Sequence, residues 1–519
     1  MPALQQLPLR IARYISNLHS RDRALFPVTA LIGVVLALLQ WTSGAWTAEF
    51  DGYPDESAQF VTGRMVWEYL RALPSGSPIA WANQYYIHYP KVAMGHWPPG
   101  YHLAEALWSL PFGSSRMSAM WLQWFLGLAA LTSLYVLVRT RLPLAVTCGI
   151  LFFALATPVF QQGLEQTMSE LACMLCSILF MHGVLRLLES PDRFAINLVV
   201  FSFAALAFTK GTAVCLLPVP VLAVLAGGRS FPWHALRRRI ALAACVLAAC
   251  VLWFALTTNA LYWGGMTTSM QWPIPSLVKL TGWGFLALAL FGCKREPLPV
   301  VAASMIASAI AISSIVRAMN EPRHWIIVLP PILLLSGYGL MRVRPMIRPL
   351  LAFPALVLFP WLWYHQVPTG YRQLLKQIHL PARMLVSSGR ISGEGAWIAE
   401  VAIAERYPAS LVARSSKVLA EMGWNGENYR LLVHSGDDVK RRLDELAVEV
   451  VIVDAPLLFA RPDQVLLKDM LENSPGWRIC CGTKSLLAYY RVSPPAFPRK
   501  PLVLDAGPWH LEERIPASP

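Results

Sequence analysis

The chain has 519 residues, of which 55% are hydrophobic and only 14% charged, and its formal net charge is +14. The apolar residues form long blocks separated by short basic or Pro-rich connections, which excludes a wholly soluble protein and predicts a polytopic α-helical membrane protein. The positive charge lies mostly in those connections, so it indicates membrane topology and contact with anionic membrane lipids. Nucleic-acid binding is disfavoured, because no basic and aromatic surface stands apart from the membrane connections.

Apolar runs long enough to cross a bilayer recur along the chain and predict about eleven transmembrane helices. The candidate spans lie near residues 26–46, 117–138, 143–160, 166–188, 194–210, 212–227, 240–262, 276–293, 298–316, 324–341 and 348–365. The first run continues into Trp46 without a small-residue cleavage site, so we expect a retained anchor rather than a signal peptide.

Every second connection is basic, beginning with the N-terminal segment 1–25. Because Lys and Arg in short connections favour the cytoplasm, this pattern predicts a cytoplasmic N-terminus. The loop 47–116 and all residues after about 366 would then face outward. The expected location is the plasma (inner) membrane, crossed many times.

Two regions interrupt the membrane pattern within the predicted membrane domain 26–365 and after it. The loop 47–116 is too long for a simple connector and is rich in acids, histidines and aromatic residues. Residues 366–495 alternate strand-like and helical stretches, which predicts a small α/β domain, and residues 496–519 form a Pro-rich irregular tail. No Gly-rich phosphate loop or catalytic triad stands out in the α/β region, so we interpret it as accessory.

The first half of the loop, FDGYPDESAQFVTGRMVWEYL, places Asp55 and Glu56 at a predicted helix start. Phe60, Trp67 and Leu70 would form an apolar stripe on the bilayer surface, which makes the loop amphipathic. The structural alternative is that Asp55 only caps the helix and Glu56 only interacts with its dipole.

The second half of the loop, YYIHYPKVAMGHWPPGYH, gathers three histidines and a lysine close to the acidic pair. Any one of them alone would usually be a solvated or snorkelling residue. Together they favour a functional site. They are His88, Lys91, His96 and His102.

Four features of the chain together resemble the C-type glycosyltransferase superfamily. They are the Asp-Glu pair after the first span, HWPPGYH, TKGTA at 209–213, and NEPRHWIIVLPPILLLSGYGL at 320–340. The similarity is greatest to the bacterial branch related to protein O-mannosyltransferases and the lipid A aminoarabinose transferase, and it covers roughly residues 20–345.

This resemblance implies a hexosyl or pentosyl transferase that takes a sugar from a polyprenyl-phosphate donor at the outward face and inverts the anomeric carbon. Asp55 would orient or deprotonate the acceptor nucleophile, and Glu56 would assist it. Cationic groups must stabilise the phosphate that leaves. The candidates are Lys91, His96 and Arg323, followed by His324 and Lys210.

Several of these assignments have alternatives. Arg323 could be an interfacial anchor or an ion-pair partner of Glu321, and Lys210 could be a snorkelling residue. The aminoarabinose branch has a Lys before its Pro-Pro where this chain has His96, so either His96 or Lys91 would take that role.

A second acidic residue is also implied, with Glu170 as the candidate and Glu165 behind it, although Glu170 could instead pair with an arginine for helix packing. His88 and His102 join Glu170 as candidates near the acceptor.

The acceptor could be a protein hydroxyl, a lipid or a growing glycan. The sequence requires no cofactor, and whether a divalent metal joins the donor phosphate stays open. The competing functions are a transporter or flippase of lipid-linked saccharides, an oligosaccharide ligase, or a catalytically silent scaffold. A transporter would carry internal repeats and polar residues deep in its spans, and the sequence shows no convincing repeat and few such charges.

Overall fold

The computed structural model describes residues 22–93, 95–227, 241, 245, 248, 273–316, 321–348, 366, 368–423, 428–454, 461–495, 499–506 and 509–513. Most of the N-terminal basic segment, nearly all of the predicted spans near 240–262 and 348–365, and part of the Pro-rich tail lie outside these residues.

The membrane part is built from apolar helices that coincide with the predicted spans. Six of these segments are long and apolar enough to cross a membrane: α1 (Leu25–Thr42), α5 (Arg116–Arg139), α8 (Glu170–Glu189), α11 (Pro273–Gly292), Pro297–Ser314 within α12 (Pro297–Val316), and the continuous helical segment Pro322–Arg342. That last segment joins a 3₁₀ turn, Pro322–Val328, to α13 (Leu329–Arg342). The predicted membrane class is thus confirmed.

The predicted count of eleven spans is not established by the described residues. A seventh span exists if α6 (Leu144–Ala156) and α7 (Pro158–Glu165), which are bent by 63°, count as one. The bend has a local cause, because Pro158 disfavours helical backbone at Thr157, whose ψ is 128°. Shorter apolar helices fill two more predicted spans: α9 (Arg193–Thr209), and a 3₁₀ turn, Gly211–Leu216, followed by α10 (Val219–Ala226).

Close helix packing holds this bundle together. A Cβ atom added at Gly292 of α11 would collide with the Leu335 carbonyl oxygen of α13, and one at Gly339 would collide with the Leu288 carbonyl oxygen. The two backbones therefore touch where each helix presents a glycine, which is the usual way for membrane helices to approach closely.

The loop 47–116 folds into three helices at one end of the bundle: α2 (Pro54–Ala72), α3 (Pro78–His88) and α4 (Gly100–Phe112). Phe60 and Trp67 of α2 are buried inside the protein, so the predicted apolar stripe does not lie on a bilayer surface. The exposed apolar row belongs instead to α4, at Leu103, Leu107 and Leu110. This i, i+4, i+7 spacing puts the three side chains on one face, so α4 is the amphipathic helix of the loop.

The C-terminal region contains the predicted α/β structure. After α14 (Tyr371–Leu375), its five-stranded sheet has the order β2-β1-β5-β7-β6, with β1 parallel to β2 and β5, and with β7 antiparallel to β5 and β6. Register pairs include Leu385 with Ala413 and Leu385 with Val451. The strands are β1 (Arg383–Ser387), β2 (Leu411–Arg414), β5 (Val450–Asp454), β6 (Trp477–Gly482) and β7 (Leu486–Arg491).

Four helices and two small hairpins complete this region. The helices are α15 (Gly393–Ala404), α16 (Ser415–Val418), α17 (Gly436–Glu445) and α18 (Pro462–Asn473). The hairpins are β3 (Ala420–Glu421) with β4 (Arg430–Leu431), and β8 (Val503–Ala506) with β9 (Trp509–Glu512). The second hairpin lies within residues 496–519, so the prediction that this tail is irregular is wrong for these strands, whose paired Leu504 and Leu511 are buried.

The carboxyl edge of the parallel strands faces the loop 47–116. Arg390, which follows β1, donates to Asp51 at 3.1 Å, and Arg414, which ends β2, donates to the Pro90 carbonyl oxygen at 3.4 Å. The loop is thus enclosed between the bundle and the sheet, at what we term the capped end of the bundle. Side chains at the carboxyl ends of parallel strands commonly line binding crevices.

Candidate active site

Asp55 is buried at the capped end and pairs with Arg323. Arg323 Nη2 lies 2.6 Å from Asp55 Oδ2, with side chains 12% and 7% exposed. Asp55 is in the first turn of α2 after Pro54, whereas the N-cap position belongs to Tyr53, which is extended. The alternative in which Asp55 serves only as the helix cap is therefore wrong.

Arg323 is shared between two carboxylates beneath an aromatic ring. Its Nε lies 2.6 Å from Glu321 Oε2, which also accepts from the Tyr53 hydroxyl at 3.0 Å. The guanidinium lies 4.5 Å from the centroid of the Tyr53 ring. Arg323 is thus both an ion-pair partner of Glu321, as one alternative proposed, and a neighbour of Asp55. Its planar fork of donors suits bidentate contact with a phosphate as well as with carboxylates.

A second buried pair lies beside the first. Lys210, directly after α9, places its Nζ 2.6 Å from Glu170 Oε1 at the start of α8. The charge of Glu170 also acts on Arg323, and the charges of Lys210 and Arg323 both act on His324. Glu170 therefore has a cationic partner, but Lys210 rather than the arginine that the structural alternative expected.

Lys91 and His96, which follow α3 in the chain, both lie close enough to Asp55 for its charge to act on them. Burial first, and then repulsion from Arg414, lower the pKa of Lys91 to about 7, while Asp55 opposes the shift. Burial lowers the pKa of His96 to about 4, so its imidazole is neutral at pH 7. Lys91 can thus supply a positive charge, and His96 a neutral hydrogen-bonding group.

Glu56 has different partners from Asp55. It is fully buried, pairs with Arg116, and accepts from the backbone amides of Gly52 and Thr167 at 3.1 Å each. Arg116 also donates to the Ala45 carbonyl oxygen at 2.8 Å and to the Glu165 carbonyl oxygen at 2.7 Å. These contacts tie the start of α2 to the bundle, which favours a structural role over the predicted assistance to Asp55.

The two acceptor-side histidines occupy different places. His102 is buried in α4, with its ring 6.0 Å from that of Trp97, whose own ring is 4.8 Å from His96. His102 thus borders the site through Trp97. His88 instead places Nδ1 2.8 Å from the Ser410 carbonyl oxygen of the C-terminal region.

The sequence reasoning missed Tyr53 and Arg116. Tyr53 directly precedes the Pro-Asp-Glu segment, so its place in the site follows from the helix start at Pro54. Arg116 directly precedes the second predicted span, on the side where positive residues are scarce, and that scarcity was an available signal.

In the described parts of the chain, no group of three or more His, Cys, Asp and Glu side chains is arranged to hold a metal ion. The site described above contains carboxylates, two lysines, an arginine and imidazoles.

Comparison with known proteins identifies the fold. No family model and no curated protein match the sequence. ArnT from Cupriavidus metallidurans bound to undecaprenyl phosphate is similar in structure, with a TM-score of 0.57 and 14% identity over 91% of this chain and 99% of that one. The apo form of ArnT gives 0.55 and 14% over 89% and 97%.

The chain has the GT-C fold. The resemblance inferred from the motifs is confirmed at this level, because ArnT, a lipid A aminoarabinose transferase, is a membrane glycosyltransferase of that fold. The archaeal oligosaccharyltransferase AglB from Archaeoglobus fulgidus, in complex with an inhibitory peptide and a dolichol-phosphate, is more distant, at 0.49 and 12% over 83% and 69%.

Proposed function

We propose that this chain is a membrane glycosyltransferase that moves a sugar from a polyprenyl-phosphate donor to an acceptor at the capped end of its bundle, with inversion at the anomeric carbon. The observation that carries the proposal is the buried contact of Asp55 with Arg323, surrounded by four further groups that can bind phosphate. These are Lys91, His96, Lys210 and His324. The GT-C fold shared with ArnT, which has been crystallised with undecaprenyl phosphate, supports the same general reaction.

Arg323 would change partners when the donor binds. In the structure described above, its fork of donors is occupied by Asp55 and Glu321. A donor phosphate carries the same kind of charge-assisted acceptor oxygens, so it would compete for the guanidinium. Once Arg323 turns to the phosphate, the Asp55 carboxylate can accept a hydrogen bond from the acceptor.

Transfer would then proceed as a single displacement. The acceptor oxygen attacks the anomeric carbon and forms the new glycosidic bond, while the bond from that carbon to the phosphate oxygen breaks. Asp55 takes the acceptor proton, and the electron pair leaves with the polyprenyl phosphate. Arg323, Lys91 and Lys210 stabilise the negative charge that grows on the leaving phosphate.

A donor screen tests this function. Purified protein in lipid is supplied with polyprenyl-phosphate-linked sugars carrying a radiolabel, and a membrane extract serves as the acceptor. We expect label to move to an acceptor and free polyprenyl phosphate to accumulate in equal amount. Movement of an intact lipid-linked saccharide across sealed vesicles, with no transfer of label, would instead support a transporter or flippase.

The size of the transferred unit separates a transferase from a ligase. Preference for a single sugar on a monophosphate carrier would support the proposal, whereas preference for a lipid-linked oligosaccharide would support the ligase.

A further inference from the structure

Residues 88–91, which lead to the site, are held by the C-terminal region. Each of the first three residues makes a polar contact with that region, and each contact uses at least one side chain. The pairs are His88 Nδ1 with the Ser410 carbonyl oxygen at 2.8 Å, the Tyr89 hydroxyl with the Glu405 carboxylate, and the Pro90 carbonyl oxygen with Arg414 Nη1 at 3.4 Å.

The fourth residue, Lys91, lies directly under the first turn of α15. A Cβ atom added at Gly395 would be 2.7 Å from Lys91 Cε and 3.2 Å from Lys91 Cδ, and it would also meet Ser57 Oγ of α2. Glycine is unfavourable inside a helix relative to alanine, so Gly395 lowers the intrinsic helix propensity of α15. In return, the helix can lie against the aliphatic part of the lysine.

The C-terminal region also sets the charges around Lys91. Glu394, Arg414 and Lys417 all act on the ammonium group from that side, and Asp55 acts on it from the bundle. Arg414 is itself fixed by Glu394, with Nε 2.9 Å from Oε2. Lys91 is only 2% exposed, so its position depends on contacts from both parts of the protein rather than on solvent.

We propose that the C-terminal α/β region is a positioning part of the donor site, in which Gly395 of α15 and Arg414 of β2 hold Lys91 beside Asp55. This inference rests on the proposed function, because it takes Lys91 as a contact of the donor phosphate. It gives the region, which the sequence alone presented as accessory, a direct role in donor affinity.

Binding of undecaprenyl phosphate to the purified full-length protein in nanodiscs tests the inference. Lys91→Met removes the charge, Gly395→Ala displaces the lysine side chain, and Arg414→Gln loosens the segment above it. Because Arg414→Gln also removes a repulsion that lowers the pKa of Lys91, binding is measured at about pH 6, where the lysine is charged in every variant that retains it. We expect each variant to weaken binding roughly tenfold or more, the scale of one charge-assisted contact. The double variant Lys91→Met/Gly395→Ala is made in a Ser57→Ala background, which removes the other atom that the new methyl group would meet. There the Gly395 substitution should add nothing further, because its remaining effect passes through Lys91.

Matched controls separate positioning from loss of fold. Gly76→Ala adds the same methyl group where no atom lies within 4 Å, and Arg430→Gln breaks an exposed arginine–glutamate pair in the same region. Both should bind as the wild type does. Thermal unfolding reports whether each variant is folded, and if Gly395→Ala does not fold, Arg414→Gln combined with Lys91→Met provides the same test.

The outcomes distinguish the inference from the proposed function. Wild-type binding that is weakened by Lys91→Met but by neither Gly395→Ala nor Arg414→Gln would overturn the inference and leave the proposed function intact. Additive losses in the double variant would also overturn it. Absence of lipid-phosphate binding in the wild type would overturn the proposed function and, with it, the inference.

Discussion

The Asp55 carboxylate is held by a guanidinium that the donor phosphate would also need. Two buried charges of opposite sign stabilise one another, and removal of one leaves the other uncompensated, typically at a cost of about 3–5 kcal/mol. Replacement of Arg323 should therefore be assessed by measuring both donor binding and protein stability.

Replacement of Arg323 with Gln should raise the donor concentration needed for half-maximal rate by roughly 10- to 100-fold, because about 1.5–3 kcal/mol of charged hydrogen bonding is lost. Steady-state transfer measured against donor concentration gives this value. Arg323→Lys keeps the positive charge but not the planar set of donors, so its donor requirement should fall between those of the wild type and Arg323→Gln. Arg295→Gln, at an exposed arginine in the connection between α11 and α12, is the matched control. An unchanged donor requirement would argue against phosphate contact.

The lowered pKa of Lys91, about 7, predicts a pH dependence of donor capture. The ammonium is charged below that pH and neutral above it, and the phosphodiester of the donor keeps its charge throughout. We therefore expect kcat/KM for the donor to decline as the pH rises from about 6 to about 9, since this constant reports groups of the free enzyme. Lys91→Arg should remove this decline. A profile that is identical for both proteins would exclude Lys91 as the titrating group.

At the scale of elements, α2 is fixed at its start by a contact that does not involve the proposed chemistry. Glu56 joins Arg116 of α5 and the backbone before α8, and both side chains are buried. The adjacent carboxylates of α2 make different contacts because successive helical positions point about 100° apart. The sequence could show the pair but not which member faces the cations.

Arg116→Met should lower the free energy of unfolding by about 3–5 kcal/mol, because it strands the Glu56 charge. Arg141→Met, which breaks a half-exposed arginine–glutamate pair, should cost no more than about 1 kcal/mol. Thermal and denaturant unfolding in detergent measure both. A variant Glu56→Gln that unfolds like the wild type but loses transfer would restore the catalytic assignment of Glu56.

The sequence predicted which segments form helices, but it did not predict where a helix is broken or what each helix packs against. Apolar runs gave α5, α8 and α11 to within a few residues, because hydrocarbon thickness sets the length of such runs. The run 143–160 was predicted as one span, yet Pro158 divides it into α6 and α7. In α2, the apolar stripe was read as lipid-facing because periodicity identifies a buried face without identifying what covers it.

At the scale of the whole molecule, the site depends on three separate parts of the chain meeting at the capped end. Asp55 comes from the loop, Arg323 and Lys210 from the bundle, and the residues that surround Lys91 from the sheet region. Motif order predicted the first two groups, since the resemblance covered roughly residues 20–345. It could not predict Arg414 or Gly395, because contacts between distant segments leave no local pattern.

The whole-molecule topology gives a further prediction. If every second connection is cytoplasmic, the C-terminal α/β region lies outside. A reporter that is active only outside the cytoplasm should therefore be active when fused after residue 519, and inactive when fused in the basic connection near residue 294. The reverse pattern would place the capped end inside the cell and contradict an outward-facing transfer site.

The most direct measurement is the single-turnover rate of transfer from bound donor, compared between the wild type and Asp55→Asn. We expect the variant to bind undecaprenyl phosphate at least as tightly, because Arg323 loses a competing carboxylate. Its transfer rate should nevertheless fall by roughly 10²- to 10⁴-fold, the usual contribution of a general base. Transfer by Asp55→Asn at close to the wild-type rate would contradict Asp55 as the base.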